Sequence, residues 1–189
     1  MSLRLSGGRK LQSPPGTTAR PTPARVRQAV MNMLAADLPG CRWLDLCCGS
    51  GVMACEALQR GASHVVAVEQ DRRHAAVARA NLDAVLTGLG GGTARRVVQV
   101  QQCEVLRWLQ GGRQAKGLES FDLIYADPPY AAGLYGALAD AVDQGGWLVA
   151  GGELLLECAS AALPEIPGRW QAIDQRRYGT TTVLRLKQR

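Results

Sequence analysis

Short apolar runs alternate with helical patterns along most of this chain, from Cys41 to Cys158. Short apolar runs bounded by turn residues are typical of buried strands, and apolar residues that recur every three or four positions are typical of helices. The pattern predicts these elements, in chain order: Cys41–Leu46, Val52–Arg60, His64–Glu69, Arg72–Leu86, Arg96–Gln101, Glu104–Gln110, Phe121–Ala126, Leu134–Val142 and Glu153–Cys158. Such alternation favours βαβ units, and so an α/β fold with a doubly wound, mostly parallel sheet.

The C-terminal part of the chain has a different pattern. Two strand-like runs, Trp170–Arg177 and Thr180–Leu186, are joined at Tyr178 and Gly179, which leaves no room for a crossover helix. Strands joined by so short a connection pair in antiparallel fashion. The sequence therefore predicts an antiparallel hairpin at the edge of the sheet.

A further helix is predicted near the N-terminus. Thr22 suits the N-cap and Pro23 the first helical position, and apolar residues then recur at helical spacing. Arg25 and Asn32 share a different face of this helix, and Arg20 lies just before it. We therefore expect polar groups to project from a docked helix into a cleft.

Positive charge is concentrated in the same region. Residues 1–30 contain six basic residues and no acidic one, whereas the rest of the chain contains sixteen of each. The six are Arg4, Arg9, Lys10, Arg20, Arg25 and Arg27. A basic segment without acids is typical of a phosphate-binding arm, and the alternative is a solvated basic tail.

Bulk composition limits the possible classes of protein. With 189 residues, 47% of them hydrophobic, the chain is expected to form one domain with a substantial core. No apolar run approaches the roughly 20 residues of a membrane span, and the N-terminus lacks the apolar core of a signal peptide, so we expect a cytoplasmic protein. The six cysteines have no Cys-x-x-Cys spacing and are predicted to be buried thiols, and no metal site is predicted.

A glycine turn, Gly49-Ser50-Gly51, follows the first predicted strand. Glycines let the backbone approach a ligand closely, and the N–H groups of a helix start favour a polar ligand. Glu69 ends the next strand about 20 residues later, the place of a carboxylate that accepts both hydroxyls of a ribose. Cys55 stands where the dinucleotide fingerprint has a third glycine or alanine, which argues against a nicotinamide-dependent oxidoreductase. A cofactor with a ribose and no phosphate fits better, and S-adenosylmethionine is such a cofactor.

The stretch Asp127-Pro128-Pro129-Tyr130 directly follows the predicted strand Phe121–Ala126. Prolines fix the backbone and carry no N–H, so the carbonyl of Pro128 is an acceptor without a competing donor beside it. A carboxylate, a carbonyl and an aromatic ring on one rigid turn suit an exocyclic amine on a stacked base. The alternatives are a turn acceptor for Asp127 and a packed aromatic for Tyr130.

These polar positions are expected to meet in one crevice. In an open parallel sheet, ligands bind outside the carboxyl ends of the strands, near the point where strand order reverses. The glycine turn, Glu69, Glu104 and Asp127 all follow predicted strands at that end. Asp45 either contacts the ligand or orients the glycine turn through backbone N–H groups.

With both motifs present, the chain resembles class I S-adenosylmethionine-dependent methyltransferases that carry a D/N/S-P-P-Y/F turn. More closely, it resembles the RsmD family of bacterial enzymes, which methylate guanine N2 in 16S ribosomal RNA. The residues that carry the resemblance span nearly the whole chain: Gly8–Leu11, Arg20–Arg27, Asn32, Leu44–Gly51, Asp127–Tyr130 and Tyr178-Gly179. The Arg20-Pro21-Thr22 element is the most discriminating of these, and Cys103-Glu104 departs from the family's usual glycine–aspartate.

The resemblance implies a seven-stranded, Rossmann-like methyltransferase domain at residues 37–189, preceded by a basic RNA-binding arm and helix at residues 1–36. It also implies S-adenosylmethionine as cofactor, no metal, and a monomer that acts on 16S rRNA within a small ribosomal subunit or an assembly intermediate. The implied catalytic residues are Asp127, Pro128 and Tyr130. The implied cofactor-binding residues are Asp45, Gly49, Ser50, Gly51, Glu69, Glu104 and Asp127. The implied RNA-binding residues are Arg9, Lys10, Arg20, Thr22, Arg25, Arg27, Asn32 and Tyr178.

Two alternatives stay open on the sequence. Methyltransferases that act on adenine N6 in DNA or on a protein glutamine use related turns. A non-catalytic RNA-binding module with a residual cofactor pocket is the alternative from another class, and the intact Asp127–Tyr130 turn argues against it.

Overall fold

The computed structural model describes residues 3–14, 23–90 and 96–189 of the chain. The chain forms two compact units, the first ending at Cys103 and the second beginning at Glu104. This boundary separates two groups of secondary-structure elements. The division at residue 36 between an arm and a methyltransferase domain stays a prediction.

The first unit contains three parallel strands and three helices. Its elements are α1 (Ala24–Met33), β1 (Arg42–Leu46), α2 (Val52–Gln59), β2 (His64–Glu69), α3 (Arg72–Gly88) and β3 (Val97–Gln102). Strand β2 lies between β1 and β3 and pairs in parallel with both. The strands β1 and β2 therefore end on the same side of their sheet, where the glycine turn follows β1 and Glu69 is the last residue of β2.

The second unit combines a parallel strand pair with an antiparallel hairpin. Its main elements are α4 (Val105–Leu109), β4 (Phe121–Ala126), α5 (Tyr135–Gln144), β5 (Leu148–Ala159), β6 (Trp170–Tyr178) and β7 (Thr181–Gln188). Strand β4 pairs in parallel with β5, which pairs in antiparallel fashion with β7. Strands β6 and β7 form the predicted C-terminal hairpin, which is confirmed.

The predicted fold class is also confirmed: the described residues form seven strands, mostly connected through helices, with antiparallel strands at the C-terminus. The largest difference from the sequence expectation is the start of β5. The strand begins at Leu148, five residues before Glu153. The first part of β5 was not predicted because Gly151 and Gly152 interrupt the apolar pattern, and glycines weaken a strand pattern. The register between β4 and β5 is also irregular in this part.

Both units contain buried apolar residues. In the first unit, Trp43, Leu44 and Leu46 of β1 have no exposed surface. In the second, Trp147 stacks on Trp108 with ring centroids 4.6 Å apart, and Phe121 lies beside it. These buried aromatic and aliphatic residues hold the strands whose ends carry the polar groups of interest.

Three expectations concern metals, thiols and membranes. All six cysteines are free thiols, four of them buried, and burial raises the pKa of Cys48 and Cys55. In residues 3–14, 23–90 and 96–189, no cluster of His, Cys, Asp and Glu is suited to a metal ion. In the same part of the chain, no helix combines the length and apolar character that a bilayer crossing requires.

Candidate functional site

The glycine turn joins β1 to α2 through a left-handed backbone. Gly49 has φ of 55° and Gly51 has φ of 72°. A Cβ added to Gly49 would meet no atom within 4 Å, whereas a Cβ on Gly51 would lie 3.0 Å from the Cβ of Ala78. The two glycines therefore serve different purposes, because Gly49 faces open space and Gly51 lets α3 pack against the turn.

Cys47, two residues before Gly49, also has a left-handed backbone although it carries a side chain. With φ of 61°, it is the one non-glycine residue among those described that adopts a left-handed conformation. This conformation costs a residue with a Cβ about 1 kcal/mol or more. Such strain persists where the surrounding structure holds it, and here it marks the turn that leads to Gly49.

Glu69 holds the glycine turn from the end of β2. Its side chain is 8% exposed, its Oε2 accepts a hydrogen bond from the N–H of Gly49 at 2.8 Å, and its Oε1 accepts one from the N–H of Asp71 at 2.8 Å. Each oxygen of a carboxylate has two lone pairs, so each retains one acceptor position. The sequence predicted Glu69 at this site, and the structure adds its role in shaping the turn.

Asp45 caps helix α2 from the neighbouring strand. The cap residue of α2 is Gly51, which has no side chain, and Oδ2 of Asp45 instead accepts a hydrogen bond from the N–H of Ala54 at 2.9 Å. The carboxylate is 2% exposed and places negative charge beside the positive end of the helix dipole. This position disfavours a phosphate at the start of the helix, where dinucleotide-binding folds hold a pyrophosphate.

Asn81, which the sequence analysis missed, links the glycine turn to the N-terminal segment. Its Nδ2 donates to the carbonyls of Ser50 and Gln12, both at 3.0 Å, and its Oδ1 accepts from the N–H of Gln12 at 2.8 Å. The side chain is 2% exposed. Helical position alone did not reveal it, since an Asn in a helix signals no partner 69 residues away.

Arg27 requires a correction, because the structure places it in the protein interior rather than on an RNA-binding surface. Arg27 is 4% exposed, its Nη2 donates to the carbonyl of Arg4 at 2.6 Å, and its Nε lies 4.0 Å from Glu56. Glu56 in turn accepts hydrogen bonds from the N–H and the hydroxyl of Ser6. The guanidinium thus attaches the N-terminal segment to α1 and α2 and is not available to a phosphate.

The other predicted RNA-binding residues of the arm are exposed where they are described. Lys10, Arg25 and Asn32 lie at the surface, and Oδ1 of Asn32 accepts from Arg60 at 3.3 Å. Arg9 is exposed as well and donates to the carbonyl of Ala84. Arg20 and Thr22 lie outside the described residues.

In the second unit, the Asp127–Tyr130 turn follows β4 as predicted. Pro128 is buried, and the carbonyl of Pro129 accepts from the N–H of Ala132 at 2.9 Å, which closes a short 3-10 turn. Asp127 is half-buried, and Tyr130 is 46% exposed. The turn therefore presents a carboxylate and an aromatic side chain from a backbone that two prolines fix.

Two neighbours of this turn were not predicted. Partial burial raises the pKa of Tyr130, and the side chain of Thr181, at the start of β7, lowers it by a smaller amount. Tyr135, at the start of α5, has a buried hydroxyl without a hydrogen-bond partner among the described residues. Burial raises its pKa, with negative groups such as Asp127 adding to the effect. The hairpin and α5 therefore border the turn.

Glu104 has a structural role that the sequence analysis did not foresee. It is the N-cap of α4, and its two carboxylate oxygens accept from the N–H groups of Leu106 at 2.9 Å and Arg107 at 2.7 Å. The side chain is exposed, and each oxygen keeps one acceptor position. Contact between Glu104 and an adenine amine stays a prediction.

Comparisons with known proteins agree with the motifs. A family model described as Conserved hypothetical protein 95 matches residues 5–187. The chain belongs to this family, the RsmD family. It is 31% identical over 183 residues to "Putative rRNA methyltransferase YlbH" of Bacillus subtilis, covering 96% of this chain and 95% of that protein.

Two further relatives support the same family. "Ribosomal RNA small subunit methyltransferase D" of Escherichia coli is 30% identical over 192 residues, with 99% of this chain and 90% of that protein covered. The solved structure "Putative methyltransferase yhhF from Escherichia coli" has a TM-score of 0.79 and 26% identity, covering 100% of this chain and 98% of that one. This RsmD-family protein is therefore a methyltransferase with a class I fold, and its cofactor is S-adenosylmethionine.

The first unit of this RsmD-family protein fits that cofactor. The backbone at Gly49 is open to a ligand, and Glu69 keeps one acceptor position on each oxygen, as a ribose diol requires. Asp45 at the start of α2 is compatible with a cofactor that carries no phosphate. Whether Asp45 and Ser50 contact the ligand stays a prediction, since the structure shows both supporting the turn itself.

Proposed function

We propose that this RsmD-family protein methylates the exocyclic N2 amine of a specific guanine in small-subunit ribosomal RNA. The observation that carries the proposal is the Asp127–Tyr130 turn, with its two prolines, in a chain that is 30% identical over 99% of its length to "Ribosomal RNA small subunit methyltransferase D". The turn favours an amine on a planar ring over an oxygen or carbon acceptor.

The guanine amine is a poor nucleophile because its lone pair is delocalised into the ring. The Asp127 carboxylate and the Pro128 carbonyl would accept its two N–H groups and stabilise the positive charge that develops on nitrogen. When bound, S-adenosylmethionine supplies a methyl group: the nitrogen–carbon bond forms, the carbon–sulfur bond breaks, and the sulfur keeps the electron pair. The excess proton leaves nitrogen for Asp127 or water.

Tyr130 is proposed to stack on the guanine after it leaves the RNA helix. Stacking of a base on an aromatic side chain contributes about 1–3 kcal/mol, and Tyr130 has the exposed ring that this role requires. Glu69 and Gly49 are proposed to hold the ribose and the adjoining part of the cofactor. Glu104 is proposed to accept from the adenine amine.

The decisive experiment is methyl transfer from labelled S-adenosylmethionine to naked small-subunit RNA, to small subunits and to DNA, followed by nucleoside and amino-acid analysis. We expect label in N2-methylguanosine at one position. Label in N6-methyladenosine, or in protein glutamine, would replace the proposal by one of the alternative methyltransferases. The absence of transfer to naked RNA, to small subunits and to DNA would leave a non-catalytic RNA-binding module.

We further propose that the enzyme acts in the cytoplasm as a monomer, on RNA within a small subunit or an assembly intermediate. The exposed cations of the N-terminal segment support RNA as partner, because phosphate contacts by Lys and Arg supply most of the non-specific affinity. Parallel reactions with naked RNA and with subunits from cells that lack the gene test this, and faster methylation of naked RNA would contradict it. Sedimentation of the purified protein tests the monomer.

The N-terminal segment provides a separate prediction. Replacing Lys10 and Arg25 together by Ala is expected to weaken RNA binding. The slope of log K for RNA binding against log salt concentration should become smaller in magnitude by about 2, because each residue neutralises about one phosphate. Both side chains are exposed. The matched control is Arg72→Ala with Arg73→Ala, two exposed cations on α3. Equal slopes for the two double variants would remove Lys10 and Arg25 from the RNA surface.

A further inference from the structure

The C-terminal hairpin is the basic part of the second unit. Residues 169–189 contain six basic residues and one acidic residue, whereas residues 104–168 contain three basic and nine acidic ones. The equal numbers of basic and acidic residues in residues 31–189, sixteen of each, hide this separation. An exposed surface with this charge is suited to an anionic partner.

Not all of these cations are available to a ligand. Arg185 forms a two-point ion pair with Glu153, and Arg176 forms a 2.8 Å ion pair with Asp174. Arg177 differs from both: it is exposed, and its Nε donates to the carbonyl of Gly179 at 3.1 Å. In the described chain, no hydrogen bond or ion pair involves the terminal nitrogens of Arg177. The side chain is thus held at the turn with its two outer nitrogens available.

The tip of the hairpin also lies next to the proposed catalytic turn. Tyr178 is directly opposite Thr181 in the β6–β7 ladder. Thr181 is in turn opposite Ala159 of β5. Ala159 lies three residues beyond Leu156, which is opposite Ala126, the last residue of β4 before the Asp127–Tyr130 turn. The hairpin tip, defined as residues 177–181, is therefore continuous with the surface that presents Tyr130.

We infer that the hairpin tip binds a backbone phosphate of the substrate RNA beside the target nucleotide, through the guanidinium of Arg177. The inference rests on the proposed function and adds a second RNA contact, separate in sequence from the N-terminal arm. A guanidinium binds two phosphate oxygens at once, which fixes orientation as well as distance. Such a contact holds the backbone in place while the base rotates toward Tyr130.

An RNA strand fits this surface better than a second copy of the protein. Strand β6 is the outer strand of the hairpin. An exposed edge strand can pair with the same strand of a second copy of the protein. Arg176 and Arg177 are adjacent on β6, so two copies paired along this edge would bring like charges together. Phosphates meet no such repulsion.

The test compares Arg177→Ala with wild type in RNA binding and in steady-state methyl transfer. We expect the KM for RNA to rise about tenfold, since a charge-assisted hydrogen bond contributes at least that factor. We expect kcat to stay within about twofold of wild type. The slope of log K for RNA binding against log salt concentration should fall in magnitude by about 1. Binding is measured with S-adenosylhomocysteine present, so that it does not depend on turnover.

The matched control is Arg169→Ala, which removes the same charge from the other end of β6. Arg169 pairs with Asp143 and lies about 25 Å from Arg177 along the strand, beyond the Debye length of about 8–10 Å. Arg177→Lys should recover part of the binding. If wild type methylates RNA and Arg177→Ala matches Arg169→Ala in KM and slope, the hairpin contact is wrong while the proposed function stands.

Two other outcomes also decide the matter. RNA binding by wild type without methyl transfer would contradict the proposed function, and the salt slopes would still test Arg177. A change in sedimentation of Arg177→Ala without a change in RNA binding would assign the tip to contacts between copies, and so overturn the inference. Equal cofactor affinity and thermal midpoint of variant and wild type establish that the variant is folded.

Discussion

Replacing Asp127 by Ala is expected to lower kcat for RNA methylation by about 100-fold to 1,000-fold, the range seen when one preorganised group that stabilises transition-state charge is removed. The reason is that the amine nitrogen becomes positive as the new bond forms, and a carboxylate beside it offsets that charge. Asp127→Asn keeps one acceptor oxygen and loses the charge, so we expect an intermediate loss. Single-turnover transfer of labelled methyl measures both variants.

The affinity for S-adenosylmethionine separates a catalytic role of Asp127 from a structural one. Calorimetry should find the affinity of Asp127→Asn within about threefold of wild type, because Asp127 follows β4 and the turn is fixed by its prolines. Asp140→Asn, on α5, serves as the matched control for loss of one carboxylate in the same unit. A parallel fall of kcat, cofactor affinity and thermal midpoint would make Asp127 a residue that supports the turn.

The sequence predicted two strands of this protein at both ends, whereas it missed the start of β5 by five residues and shifted helix ends by one or two. Apolar runs such as Phe121–Ala126 match the structure at both ends, because buried parallel strands consist of little besides apolar residues. Helix α4, in contrast, begins after Glu104, since the carboxylate caps the helix instead of lying inside it. Caps depend on one side chain, so periodicity alone does not place them.

The positions of Glu69 and Asp127 were predictable for a different reason. Glu69 is the last residue of an apolar strand and Asp127 directly follows one, and the carboxyl ends of parallel strands are where such folds bind ligands. The hydrogen bonds of Glu69 to the N–H groups of Gly49 and Asp71 were not predictable, since they depend on the local path of the turn. The meeting of Glu69 and Asp127 in one crevice stays a prediction.

The N-terminal arm shows where sequence reasoning failed. Arg27 was assigned to RNA binding because it lies in the basic, acid-free N-terminal segment and in the Arg20–Arg27 stretch that carries the resemblance. Its neighbours in α1 gave a signal, since Arg27 lies three and four positions before the buried Val30 and Met31. Its partner Glu56 is 29 positions away on another helix, and no local pattern reports such a pair. Asn81 was not predicted for the same reason, because its partner Gln12 is 69 positions away in the sequence.

Replacing Glu69 by Ala is expected to weaken binding of S-adenosylmethionine by about 100-fold or more. Two charge-assisted hydrogen bonds to a ribose contribute about 3 kcal/mol together, which corresponds to that factor. The free energy of unfolding should also fall, by about 1–3 kcal/mol, because the N–H groups of Gly49 and Asp71 lose their acceptor. Titration calorimetry and urea unfolding without cofactor measure the two effects separately.

The control for Glu69 is Asp71→Ala, two residues further along the same connection. Asp71 caps α3 through the N–H groups of Arg73 and His74, so its loss should lower stability by about 1 kcal/mol. Because its carboxylate serves the helix, cofactor affinity should change by less than about threefold. Were Glu69→Ala to lose stability alone, with the affinity of wild type retained, Glu69 would shape the turn without binding the ribose. An affinity loss as large in Asp71→Ala would assign both effects to the backbone of the connection, since one carboxylate alone would not explain them.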